Sequence, residues 1–193
     1  MNRKPLILFV ITFVSISLGL GFVIGRDTNN DSGMGMNHGA HTTKIGGNEA
    51  MFLQMMIPHH QQAIVISDLA IAISENENIL KLANQIKGAQ APEIARMKIW
   101  LKAAGLGEGP GHSMHAMAGM LSDSQLQQLE SSTGKEFDRQ FLSGMIAHHE
   151  GAVAMVGMIE NSSDSKLRDF GKQISRSQTD EIEVMKQLLK GIG

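Results

Sequence analysis

Four stretches of the chain place apolar residues three and four positions apart. Phe52, Met56, His59, Ala63, Ile66, Ala70 and Ile73 form the first stripe; Ile79, Ala83, Ile86, Gln90, Glu93, Met97 and Leu101 form the second. Phe141, Met145, His148, Ala152, Met155 and Ile159 make a third, and Gln178, Ile182, Met185 and Leu189, with Glu181 beside them, a fourth. That spacing turns one face of a helix toward a shared core, and no stretch alternates strictly as a half-buried strand would.

The third stretch repeats the first, and the fourth repeats the second. With Phe52 placed on Phe141, Leu53 falls on Leu142, Met56 on Met145, Ile57 on Ile146 and Ala63 on Ala152, while His59 and His60 fall on His148 and His149. Farther along, Gln85, Gln90, Glu93, Ile94, Met97 and Leu101 fall on Gln173, Gln178, Glu181, Ile182, Met185 and Leu189, the register having lost one residue in a loop. A repeat of about 55 residues holding two helices is a duplicated helical hairpin. The expected fold is therefore all-α: an antiparallel four-helix bundle built from hairpins at residues 49–104 and 135–193. Residues 105–134 read as a glycine-rich linker followed by a short helix, opened by a capping box of Ser122 and Gln125.

Ahead of the hairpins, residues 27–48 are polar and glycine-rich, the composition of a flexible linker. Residues 1–26 differ again: a basic MNRK is followed by an uncharged apolar run over 5–25, long enough to span a bilayer. Arg3 and Lys4 hold that end in the cytoplasm, so the rest of the chain is expected to be exported behind a signal peptide or an uncleaved anchor. The lack of a small-residue cleavage motif before Arg26 favours the anchor. The working part of the chain is thus expected outside the cytoplasm, with the membrane as a partner of an uncleaved segment.

Composition narrows the chemistry. The 193 residues hold fourteen methionines, eight histidines, one tryptophan, no cysteine and no tyrosine. Thiolate metal sites and disulfides are excluded. The formal net charge of −2 becomes more acidic without Arg3, Lys4 and Arg26, so no basic footprint for nucleic acid exists.

The paired histidines stand out against this background. On a helix, Met145 lies angularly between His148 and His149 and can meet either, as Met56 can meet His59 or His60. Adjacent histidines diverge, which suggests a Met–His pair per site completed from another helix or loop. Met155, farther along the third stripe, adds a thioether. Thioether with imidazole suits copper, Cu(I) above all, with silver as a surrogate, and Cu(II) at histidine-rich positions. Glu93 and Glu181 lie on inner stripes, where an unpaired carboxylate is costly. Each could ligate a metal directly or accept a proton from a histidine on the facing helix and fix its tautomer. The linkers carry Met34, Met36, His38 and His41, then His112, Met114, His115, Met117 and Met120, a Met/His composition associated with metal binding.

Competing readings fail on particular letters. A zinc-protease H-E-x-x-H from His149 meets Val153, and no glutamate precedes a histidine by three residues as a di-iron bundle requires. Covalent haem attachment is excluded by the absent cysteines, while a haem held by Met and His stays open. A bundle redox enzyme such as a cuprous oxidase and a metal-free structural adaptor remain as alternatives to a non-enzymatic binding protein.

The doubled blocks F-L-x-x-M-I-x-H-H-x-x-A and Q-x-x-E-I-x-x-M resemble the signature of the bacterial family called domain of unknown function 305, which takes in CopM-like exported copper-binding proteins. The resemblance spans roughly residues 49–104 and 135–191. It implies a ferritin-like four-helix bundle, copper binding by methionine and histidine, and a part in copper tolerance. The family's block falls on Met56, His59, His60, Gln90, Glu93 and Met97, then on Met145, His148, His149, Gln178, Glu181 and Met185. A copper-exporting or copper-accepting protein is the implied partner, besides the metal ions themselves. Pro58 stands where the second half has Ala147. A proline inside a helix frees the carbonyl of Gln54 and kinks the axis, so the two sites are expected to differ.

Overall fold

The computed structural model describes residues 45–109 and 117–192. The apolar segment 1–26, Met34, Met36, His38 and His41 of the linker, and His112, Met114 and His115 lie outside the described residues. Among the described residues there are five helices and no strand: α1 (Gly47–Ile73), α2 (Glu77–Ala103), α3 (Asp123–Ser131), α4 (Gly134–Val156) and α5 (Ser165–Ile192). None of them is long and apolar enough to cross a membrane.

Local chemistry sets the boundaries. α1 stops where Ser74 turns extended, and Asn76 caps α2 by accepting from the Asn78 N–H at 3.0 Å. Ser122 and Gln125 form the expected capping box on α3. α1 runs unbroken through Pro58, and α2 likewise through Pro92. α4 ends sooner than its counterpart α1. At Gly157 its hydrogen bonds tighten to the third residue back, with Met158 bonding the Met155 carbonyl and Ile159 that of Val156, both at 3.0 Å.

Two apolar clusters fix how the helices run. Phe52, Leu53 and Met56 of early α1 pack with Met97 and Leu101 of late α2, Ala152 and Met155 of late α4, and Phe170 and Ile174 of early α5. Ala63, Ile66 and Ala70 of late α1 pack with Ile79 and Ile86 of early α2, Phe137, Phe141 and Met145 of early α4, and Ile182 and Met185 of late α5. Thus α1 is antiparallel to α2 and to α4, and α5 is antiparallel to α4. α2 and α4 consequently run in the same direction, so the chain between them must travel the length of the helices. It leaves near Gln54, whose side chain donates to the Gly107 carbonyl at 2.9 Å, and reaches Gln62 by Leu121. At that end Asp138 of α4 accepts from Ser74 Oγ at 2.6 Å and from Asn76 Nδ2 at 3.2 Å, tying the α1–α2 turn to the second half.

Candidate metal centre

The two apolar clusters are separated by a layer of polar side chains. His59, His60, His148 and His149 are each 0% exposed, and Gln90 and Gln178 are almost as deeply buried. The helical repeat delivers them: His59 and His60 follow Met56 on α1, and His148 and His149 follow Met145 on α4. Glu93 and Glu181 enter from α2 and α5, their side chains 12% and 18% exposed.

Each carboxylate holds one histidine of its own hairpin. His60 Nε2 donates to Glu93 Oε2 at 2.9 Å, and His149 Nε2 donates to Glu181 Oε2 at 2.7 Å. Of the two roles open to the glutamates, the geometry shows tautomer fixing. A proton on Nε2 leaves, in the neutral ring, a lone pair on Nδ1. Both of those Nδ1 atoms are buried without a hydrogen-bond partner.

The other two histidines meet across the halves. The rings of His59 and His148 lie 3.8 Å apart, centroid to centroid, tilted by 41°. By contrast, the sequence neighbours His148 and His149 are 6.3 Å apart. His59 Nε2 donates to the Ala118 carbonyl at 3.3 Å, leaving its Nδ1 unpartnered, and neither nitrogen of His148 has a partner. Burial, reinforced by the charge that a neighbouring imidazolium would carry, drives the His59 pKa down to about 3. The same burial, with His59 and His149 beside it, holds His148 well below the ordinary histidine value.

The amides of Gln90 and Gln178 add four more polar atoms without partners. Leaving a buried donor or acceptor unsatisfied costs about 1–3 kcal/mol, so a layer with this many is costly unless something occupies it. Five of the unpaired atoms are imidazole nitrogens. Yet no group of three or more His, Cys, Asp or Glu converges as a metal cage among the described residues. A metal held here therefore needs donors of another kind, and thioethers flank the layer on both sides. Met56, Met97 and Met155 lie in the Phe52 cluster, Met145 and Met185 in the Phe141 cluster, all buried. A two-fold relation between the halves exchanges Met56 and Met97 with Met145 and Met185, while Met155 has no methionine counterpart.

Not every sequence candidate joins the layer. Met117 and Met120 are part-buried on the crossover, where Met120 lines a cavity of about 330 Å³ with residues of α3 and α4. Four features escaped the sequence reading: the cross-half His59–His148 contact, the Ala118 carbonyl, the Gln62 clamp on Leu121 and the Asp138 tie. One signal for them was available, since Gln62 aligns with Gly151 two residues after the matched histidines.

The family described as Domain of unknown function (DUF305) matches residues 49–189. No curated protein matches the chain. Among solved structures, a DUF305 fragment from Deinococcus radiodurans is 31% identical with a TM-score of 0.71, covering 76% of this chain and 97% of its own. CopM in the Cu(I)-bound form is 32% identical with a TM-score of 0.62, covering 74% of this chain and 95% of its own. The Ag-bound form of CopM obtained by soaking is 30% identical with a TM-score of 0.63, over 76% of this chain and 97% of its own.

Proposed function

The chain belongs to the DUF305 family, and from that membership we propose that it is a non-enzymatic copper-binding protein of the bacterial cell envelope. It sequesters or buffers copper outside the cytoplasm, contributes to copper tolerance, and hands the ion to or from an export or acceptor protein. The helices form a ferritin-like antiparallel four-helix bundle with one long crossover. Copper is the cargo of the polar layer, with silver as its surrogate.

One observation carries this reading: five buried imidazole nitrogens without partners, set between two groups of buried thioethers. Among the described residues no three His, Asp or Glu converge, so the buried thioethers are the donors placed to complete the coordination, and they select a soft ion. The reading thus favours Cu(I) in the layer. His60 and His149 supply Nδ1 lone pairs made more basic by Glu93 and Glu181. CopM, similar over most of this chain, has been solved with Cu(I), Cu(II) and Ag bound, which supports copper as the ion.

Purified protein loaded with Cu(I) is expected to retain it against a competing chelator, with sulfur and nitrogen scatterers in its X-ray absorption spectrum. Retention no better than that of a variant with His59, His60, His148 and His149 all replaced by alanine would sink the reading. Sustained oxidation of Cu(I) with oxygen consumption would instead move the protein to the cuprous oxidases.

A further inference from the structure

A single crossover runs over a bundle whose halves are otherwise duplicates, and it breaks the duplication at the metal layer. Gln62 of α1 holds the crossover at Leu121 with both ends of its amide. Its Nε2 donates to the Leu121 carbonyl, and its Oε1 accepts from the Leu121 N–H, each at 2.8 Å. Two residues earlier the chain lies flat on α4, and this is possible only because glycines meet there. Gly119 has φ +83°, and a Cβ on it would come within 2.3 Å of the Ala147 carbonyl. A Cβ on Gly151 would meet the Ala118 carbonyl at 2.0 Å. With the crossover seated, that Ala118 carbonyl faces His59 Nε2 at 3.3 Å.

Two of the positions at which the histidine blocks differ are involved. Gln62, the clamp, aligns with Gly151, the groove; Pro58 aligns with Ala147, whose carbonyl Gly119 lies against. Ala147, the counterpart of Pro58, thus carries a contact with the crossover. One strand of crossover can sit on one half only, so these two departures from the repeat accompany its docking.

We propose that Gln62 is a positioning residue of the metal centre, acting through residues 117–122. By clamping Leu121 it seats the Ala118 carbonyl against His59, fixes that ring as the Nε2–H tautomer and commits Nδ1 as its donor atom. The chemistry is one-directional: a carbonyl oxygen only accepts, so the facing nitrogen carries the proton and the other carries the lone pair. Ala118 thus does for His59 what Glu93 does for His60 and Glu181 for His149. His148 is not held by the crossover, its polar neighbour being the His59 backbone, and is left as the more adaptable histidine. The inference rests on the copper-binding reading for the identity of the ion, and on the contacts alone for the tautomer.

Two readouts on Gln62→Leu and on Gly119→Ala test it, the second variant unseating the crossover without touching the clamp. Long-range proton–nitrogen NMR of the metal-free protein is expected to show His59 as a single Nε2–H tautomer. In both variants that ring should become a mixture, while His60 and His149 keep their tautomers and report an intact bundle. Competition titration is expected to show Cu(I) bound about 10–100-fold more weakly in each variant. Gln62→Glu, which keeps the acceptor for the Leu121 N–H, should fall between. Unchanged His59 tautomers in both variants overturn the proposal, as does a loosened tautomer with undiminished affinity. Wild-type protein that binds no Cu(I) would instead remove the copper reading, and the metal-site role of Gln62 with it.

Discussion

At the outer edge of the polar layer the two hairpins do the same thing. Glu93 holds His60 at 2.9 Å in the first, and Glu181 holds His149 at 2.7 Å in the second. One residue inward they part: His59 is hydrogen-bonded by the crossover, and His148 has no such tie to it. The methionines divide unevenly as well, since Met155 faces the Phe52 cluster and its counterpart in the other cluster is Ile66. The contrast separates what two similar hairpins share from what they cannot. Contacts made within a hairpin are inherited twice, whereas a segment lying between the hairpins exists once and must favour one side.

The largest expected effect comes from erasing the centre of that contrast. Replacing His59 and His148 together by leucine should weaken Cu(I) retention by more than the about 10–100-fold expected from losing a supporting hydrogen bond. The same double variant should melt higher than wild type when metal-free, because apolar side chains replace buried polar groups without partners. A metal-free melting temperature below that of wild type would show that the polar layer supports the fold rather than straining it.

Acid should act next, and through His59. Its folded pKa of about 3 lies below the ordinary 6.5, so between those values the unfolded chain takes up a proton that the buried ring refuses. Metal-free stability is accordingly full above pH 6.5 and declines as pH falls toward 3, with His148 shifted in the same direction. Denaturant melts of wild type and His59→Phe over that range check it, the variant being expected to show the shallower decline.

Two smaller tests compare equivalent positions. Asp138→Ala strands the Ser74 hydroxyl and should cost about 1–3 kcal/mol, while Glu49→Ala at the corresponding place in α1 should stay within about 0.5 kcal/mol; urea unfolding reads both. Gly88 sits on an exposed helix face with open space around its Cβ position, where the second hairpin carries Arg176. Gly88→Ala should stabilise by about 0.5–1 kcal/mol, seen as a small rise in melting temperature. Gly151→Ala, driven into the Ala118 carbonyl, should do the reverse.

The helices were legible because their stripes are long and written twice; even the capping box at Ser122 and Gln125 is local enough to read. The histidine–glutamate pairs were half legible. Polar letters on an apolar stripe announced buried partners, but periodicity does not say which of two adjacent histidines a glutamate will reach. The His59–His148 contact was not legible, since helical geometry describes one helix and this pair belongs to two. Pro58 drew attention as the point of divergence. Its counterpart Ala147 proved to be the surface that Gly119 of the crossover lies against.

By itself the sequence determined that the chain forms duplicated helical hairpins, with Met, His, Gln and Glu turned inward. Both facts follow from interactions within a few residues: hydrogen bonding along the helix and the burial of one face. Only the tertiary structure decided that α2 and α4 run the same way, and hence that the connection must pass along the bundle. That path decided which histidine received a carbonyl and which did not. A hydrogen bond between residues 59 and 118 depends on where the intervening chain is laid, and no local preference in either segment encodes it.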